Sequence, residues 1–72
     1  MKTIEEVRVV LHAHKLYPSQ DYLDGDERIT SLQVEEDDLK AILSEIGPGW
    51  ITRSYQLLDH TGYVQVDLVR YP

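Results

Sequence analysis

The sequence contains no cysteine and no phenylalanine, and it has seven basic residues against thirteen acidic ones. Without cysteine, neither a disulfide bond nor a zinc site with cysteine ligands can form. There is no glycine-rich phosphate loop or nucleophile elbow, and no apolar run approaches the roughly 20 residues that span a bilayer. A chain of 72 residues must therefore be stabilised by apolar packing alone or by a partner.

The negative charge is concentrated in one quarter of the chain. The segment 21–38, DYLDGDERITSLQVEEDD, carries eight of the thirteen acidic residues and one of the seven basic ones, so it accounts for the whole net charge of −6. A surface of this sign repels a phosphate backbone and attracts cationic partners. We therefore expect no direct binding to nucleic acid, and a protein with a basic surface is the expected partner.

The first residues, MKTIEEVRVVL, place two glutamates ahead of most of the apolar residues. This order is not that of a secretory signal peptide, which has a basic start followed by an uninterrupted apolar core. We expect a soluble, cytoplasmic protein that does not bind membranes.

The segment 3–16 fits two structures. As a helix, it would begin with a capping box formed by Thr3 and Glu6, and apolar residues at i, i+3 and i+7 would share one face. As a strand, its valines would be favourable and alternate residues would face the core. The strand would give a ββαββ-like sheet. Each alternative misplaces one valine, so both remain open at this stage.

The clearest helix covers residues 35–46. Val34 precedes it with the spacing of a hydrophobic staple, and Gly47 followed by Pro48 is a stop signal. A single apolar stripe at i, i+3, i+4 and i+7 consists of Leu39, Ile42, Leu43 and Ile46.

Residues 50–58 and 63–71 read as an antiparallel β-hairpin around the turn DHTG. A four-residue loop pairs Leu58 with Tyr63. The face predicted to pack on the helix then contains Ile51, Tyr55, Leu57, Val64, Val66 and Leu68. The opposite face contains Trp50, Leu58, Tyr63, Val69 and Tyr71.

The remaining stretch is less informative. Residues 17–27 have turn chemistry throughout, whereas residues 28–34 are β-prone and predict a short strand. No internal repeat is evident. The prediction is one small α+β domain over residues 1–72, with the helix packed on the C-terminal hairpin.

No constellation of residues selects a reaction. The stretch DYLDGDE lacks the acidic residues that an EF-hand loop needs at its third and fifth positions. His12 and His14 would point the same way only on a strand, and a metal site would still need a third ligand. We therefore predict a non-enzymatic protein, with no catalytic, cofactor-binding or metal-binding residue.

The aromatic residues favour a binding surface, because five tyrosines and one tryptophan are the amphipathic types enriched at interface hot spots. Four consecutive acids at a helix start also exceed what the helix dipole requires. The predicted partner-binding residues are Asp21, Tyr22, Asp24, Asp26, Glu27, Glu35, Glu36, Asp37, Asp38, Trp50, Tyr63 and Tyr71.

Two functions fit this pattern. The first is an acidic module that docks on a basic surface of another protein; its size and acidity resemble, in composition alone, those of many inhibitors, antitoxins and phage accessory proteins. The second is a structural or assembly subunit that forms a homodimer or larger homo-oligomer through a free edge of the hairpin.

Overall fold

In the computed structural model, each of two helices is followed by a pair of strands. The structure describes residues 1–23, 26–58 and 62–70, and at residues 20–23 and 26 it describes the backbone alone. The elements are α1 (Ile4–Ala13), β1 (Ser19–Leu23), β2 (Asp26–Glu35), α2 (Glu36–Ile46), β3 (Trp50–Leu57) and β4 (Tyr63–Arg70). The predicted α+β class is confirmed.

The four strands form one antiparallel sheet in the order β1-β2-β4-β3. The chain thus repeats the unit αββ, and the second strands of the two units pair at the centre of the sheet. This repeat was missed in the sequence. The turn chemistry predicted for residues 17–27 was also wrong in part, since residues 19–23 form β1 and pair with β2.

The segment 3–16 contains a helix, so the strand alternative is wrong. The backbone N–H of Thr3 donates to the Glu6 carboxylate at 2.9 Å, and the Glu6 N–H donates to the Thr3 hydroxyl at 3.2 Å. This reciprocal capping box satisfies two backbone donors at the helix start. The buried residues are Ile4, Val7 and Leu11, as the helical spacing predicted, while Val9 is the exposed valine.

The helix α2 begins and ends where the sequence predicted, to within one residue. Val34 and Leu39 are both buried, which fits the hydrophobic staple. Gly47 has φ +78° and donates its N–H to the Leu43 carbonyl at 3.0 Å. The Glu36 N–H donates to the Gly62 carbonyl at 3.0 Å, and this bond ties the start of α2 to the start of β4. Neither helix in the described part of the chain is of a length and apolarity that would carry it across a membrane.

The core lies between the two helices and one face of β2 and β4. Three apolar pairs face each other across these central strands, Ile29 with Leu68, Leu32 with Val66 and Val34 with Val64, and all six side chains are buried. The prediction that Val64, Val66 and Leu68 are buried is confirmed.

The pairing of β3 with β4 starts in the predicted register and then changes. Gln56 pairs with Gln65 and Leu57 with Val64, as a four-residue loop requires, but a bulge between Arg53 and Gln56 shifts the pairing by one residue. A one-residue shift moves every later side chain to the other face of the sheet.

Trp50 was predicted to lie on the open face of the sheet, but this shift places it in the core. Its side chain is 7% exposed, and its indole N–H donates to the Lys2 carbonyl at 2.9 Å. The prediction for Tyr55 and Leu57 was also wrong, because both side chains are exposed. The strand β3 is at the edge of the sheet, where the helix layer does not cover them.

Leu68 and Leu57 were predicted to lie on the same face of the hairpin, and their different burial can be tested by mutation. We expect Leu68→Ala to lower the free energy of unfolding by about 2–5 kcal/mol, because it leaves a cavity in the core. Leu57→Ala should change it by less than about 0.5 kcal/mol. Urea unfolding followed by circular dichroism measures both; equal losses would contradict the edge position of Leu57.

The capping box of α1 makes a prediction about a titration. The hydrogen bonds from the backbone and side chain of Thr3 lower the pKa of the Glu6 carboxyl below its ordinary value. The stability that this contributes is complete above the ordinary pKa and is lost as the pH falls through the lowered one. Thr3→Ala removes the hydroxyl but keeps the Thr3 backbone N–H, so it should raise the Glu6 pKa only part of the way towards its ordinary value in an NMR titration. An ordinary Glu6 pKa in the native chain would show that the box is absent in solution.

Candidate partner-binding groove between α2 and β3

The predicted acidic segment is divided by the fold. Glu27 lies near one end of β2 and Glu35 lies at the other, and a ten-residue strand separates such ends by about 30 Å. The Glu27 carboxylate accepts from the Arg70 guanidinium at 3.0 Å and is largely buried there. Glu27 is thus paired within the fold and lies apart from the acids of residues 35–38.

Of four other predicted binding residues, the structure describes the backbone of three. The backbone places Asp21 and Tyr22 in β1 and Asp26 at the start of β2, and Asp21 is the cross-strand neighbour of Arg28. Asp24 lies outside the described residues.

Residues 35–38 form an exposed acidic rim at the start of α2, which consists of Glu35, Glu36, Asp37 and Asp38. Among the described residues, the ion pairs involve Glu27, Glu45 and Asp67, and none includes a member of the rim. The net negative charge of this end of the molecule is therefore directed to solvent.

The N-cap side chain of the rim does not cap α2. Glu35 is the N-cap residue and has an extended backbone (φ −61°, ψ 138°) like that of Thr3, yet its side chain makes no capping hydrogen bond. Asp38 occupies the position that Glu6 occupies in α1. The Glu35 side chain thus does not provide the capping bond that stabilises a helix start by about 0.5–2 kcal/mol.

A groove of about 350 Å³ runs between α2 and β3, beside the acidic rim. Leu39 and Leu43 contribute apolar surface from α2, and Tyr55 contributes its ring from β3. We call this the α2–β3 groove; its lining residues are Glu36, Asp37, Leu39, Lys40, Leu43 and Tyr55.

Exposed apolar side chains surround the same end of the molecule. Tyr55 is 50% exposed and Leu57, two residues further along β3, is 66% exposed. Tyr63 is 40% exposed, pairs with Glu35 across the sheet and lines a smaller cavity on the other side of α2. Apolar area and negative charge therefore occur together here.

This grouping differs from the predicted one in several residues. Trp50 is excluded because it is in the core, and Tyr71 lies outside the described residues. Tyr55 and Leu57 were not among the predicted binding residues, but they lie at or beside the groove. The sequence signal that could have found them is the polar run TRSYQ, since a strand buried beneath a helix would not have four polar neighbours around one tyrosine.

The open face of the sheet carries several polar side chains that bond to one another, beside the apolar pair Ile51 and Val69. The Gln33 amide donates to Gln65 at 2.9 Å, and the Ser31 N–H donates to Asp67 at 3.1 Å. Arg28 approaches the same Asp67 carboxylate at 3.8 Å. The arginines of the central strands thus satisfy carboxylates of the fold, so they do not offset the acidic rim.

The histidines do not converge. His12 lies on a helix and stacks on Tyr17 with ring centroids 4.9 Å apart, while His14 Nε2 lies 3.0 Å from the Glu45 carboxylate. Within residues 1–23, 26–58 and 62–70, no group of three His, Asp or Glu side chains is placed to hold a metal ion. His60 is outside these ranges.

No protein-family model, no curated protein and no solved structure matches this chain. The groove is therefore interpreted from its own geometry and charge.

A substitution at the N-cap of α2 tests whether the rim reduces stability. We expect Glu35→Thr to raise the free energy of unfolding by about 0.5–1 kcal/mol, because a threonine hydroxyl can accept from the backbone N–H two or three residues on. The matched change in α1, Thr3→Glu, should lower it by a similar amount. Urea unfolding measures both, and a loss of stability in Glu35→Thr would contradict the argument.

Proposed function

We propose that this protein is a non-enzymatic binding module that docks through the α2–β3 groove on a cationic surface of a partner protein. One observation supports the proposal most directly. An acidic rim without an ion pair among the described residues lies beside exposed apolar side chains at a groove.

The two components have different roles in association. Negative charge on the rim steers a cationic partner into encounter and selects against anionic ones, and this effect extends about 8 Å at physiological ionic strength. Rim charges of this kind change the rate of association more than the lifetime of the complex.

The exposed apolar side chains would determine the lifetime of the complex. Tyr55 and Leu57 are both at least half exposed, and covering such apolar area is worth roughly 25 cal/mol per Å². Tyrosine loses little side-chain entropy on binding and keeps a hydroxyl for a hydrogen bond, as hot-spot residues commonly do.

A homo-oligomeric assembly subunit is the second candidate, and one observation favours it. The strand β3 is an outer strand of the sheet and carries the exposed Leu57, so another copy could pair with it. Sedimentation velocity separates the candidates, since the binding module is expected to be a monomer at micromolar concentration and the subunit a stable oligomer.

The proposed function is tested by selection from a displayed library of random twelve-residue peptides. We expect the peptides retained by the native protein to carry a net positive charge and to bind at least about tenfold more weakly to the double variant E36Q/D37N. Binding should weaken further as sodium chloride is added, because the charges are exposed.

The matched control is E5Q/E45Q, which removes two exposed charges outside the groove and should bind like the native protein. Selected peptides that are neutral or acidic, or that bind E36Q/D37N and the native protein equally, would overturn the proposed function.

A further inference from the structure

We propose that the occupant of the groove is an extended, cationic segment of the partner, which adds to the sheet as a fifth strand along residues 55–57 of β3. This inference rests on the proposed function and specifies the form of the partner. It is carried by the edge of the sheet, the position of the groove above it and the charge beside it.

The strand β3 has one paired flank and one open flank. Within the described residues its only ladder is with β4, so the backbone N–H and C=O groups on the other flank point away from the sheet. Such an edge is a template for another extended chain, and main-chain hydrogen bonds then provide much of the affinity.

The two halves of this edge are protected unequally. In the first half, Arg53 carries a charge and Ser54 adopts φ +56° at the bulge between Arg53 and Gln56, and bulges and charged side chains are the usual means of blocking an edge. Tyr55 completes the bulge, Gln56 and Leu57 pair regularly with β4, and residues 55–57 have neither a charge nor a proline. The opposite edge of the sheet, β1, is only five residues long.

The groove lies where an added strand would place its side chains. A fifth strand would run about 4.8 Å outside β3, and its alternate side chains would point to the helix side of the sheet. That side is the α2–β3 groove, where Leu39, Leu43 and Tyr55 supply apolar contacts. Its volume of about 350 Å³ is within the usual range for ligand sites, roughly 300–1,000 Å³.

The charge favours a cationic partner over a second copy of this chain. Antiparallel pairing of two β3 strands about Gln56 would bring both α2 starts to the new interface, and with them two acidic rims. Each rim has four carboxylates, and Lys40 is the one base that lines the groove. Like charges brought together in this way disfavour self-pairing, whereas lysine or arginine in a partner segment would be attracted.

The test uses synthetic peptides of eight residues that alternate valine with threonine. One carries lysine at both ends and a second carries glutamate at both ends. Two further versions of the lysine peptide are N-methylated at every second amide, in the two possible alternating sets, so that each loses the hydrogen-bond donors of one edge. Binding is measured by NMR titration of the full chain, with amide hydrogen exchange at saturation.

We expect the lysine peptide to bind and to slow amide exchange within residues 55–57. One N-methylated version should bind at least about tenfold more weakly and the other should bind like the parent, because only one edge of the peptide faces β3. The variant Leu57→Lys should lose binding, while Thr52→Lys, which adds the same charge to the protected half of β3, should retain it.

Three results would overturn the inference. If both N-methylated versions bind alike, there is no strand addition, although the acidic docking surface of the proposed function would stand. If the lysine peptide does not bind at about 1 mM, this edge does not accept an extended segment. If the glutamate peptide binds as well as the lysine peptide, both the inference and the proposed function are wrong.

Discussion

The pairing of β2 with β4 joins the two αββ units into one protein. Its three buried cross-strand pairs form the floor on which both helices pack, and burial of each aliphatic side chain is worth about 1.5–3 kcal/mol before conformational entropy is subtracted. Without disulfide bonds, a chain of this length depends on this floor for its tertiary structure. The groove depends on it as well, because α2 packs on this floor and β3 is attached to it through β4.

The same arrangement determines where charge remains unbalanced. Arg28 and Arg70 lie on the central strands and pair with Asp67 and Glu27, so two of the seven bases are used within the sheet. Glu35 is the last residue of β2, and Glu36, Asp37 and Asp38 form the first turn of α2, at the end of β2 opposite the Glu27–Arg70 pair. None of these four acids takes part in an ion pair of the described residues, and the proposed function uses this unpaired charge.

Local signals predicted much of this fold. The helix α2 and the pairing of Leu58 with Tyr63 at the end of the hairpin depend on neighbours within a few residues and were predicted, and the capping box of α1 belonged to the helix alternative for residues 3–16. Trp50 was misplaced because a bulge after Arg53 reverses the faces, and nothing in the local pattern reveals a bulge. Tyr55 was misplaced for another reason: its face was right, but a sequence does not show how far a helix extends over the edge of a sheet. The candidate site therefore kept its predicted acids and lost its predicted tryptophan.

The repeat provides a comparison inside one molecule. The helix α1 contains EEVRVVL and α2 contains DDLKAIL, 32 positions later, with acidic, aliphatic and basic residues in the same order. In α1, Thr3 and Glu6 form the capping box. In α2, Glu35 and Asp38 occupy the same two positions, and the Glu35 side chain makes no capping hydrogen bond. Likewise, the outer strand of the first unit has five residues and that of the second has eight. Two units with the same core thus differ in the helix start and in the outer strand, and in the second unit these two elements adjoin the groove. The first unit has two acids in its first helical turn and a short outer strand, so the four acids of the rim and the long edge belong to the second unit alone, where the proposed function makes use of both.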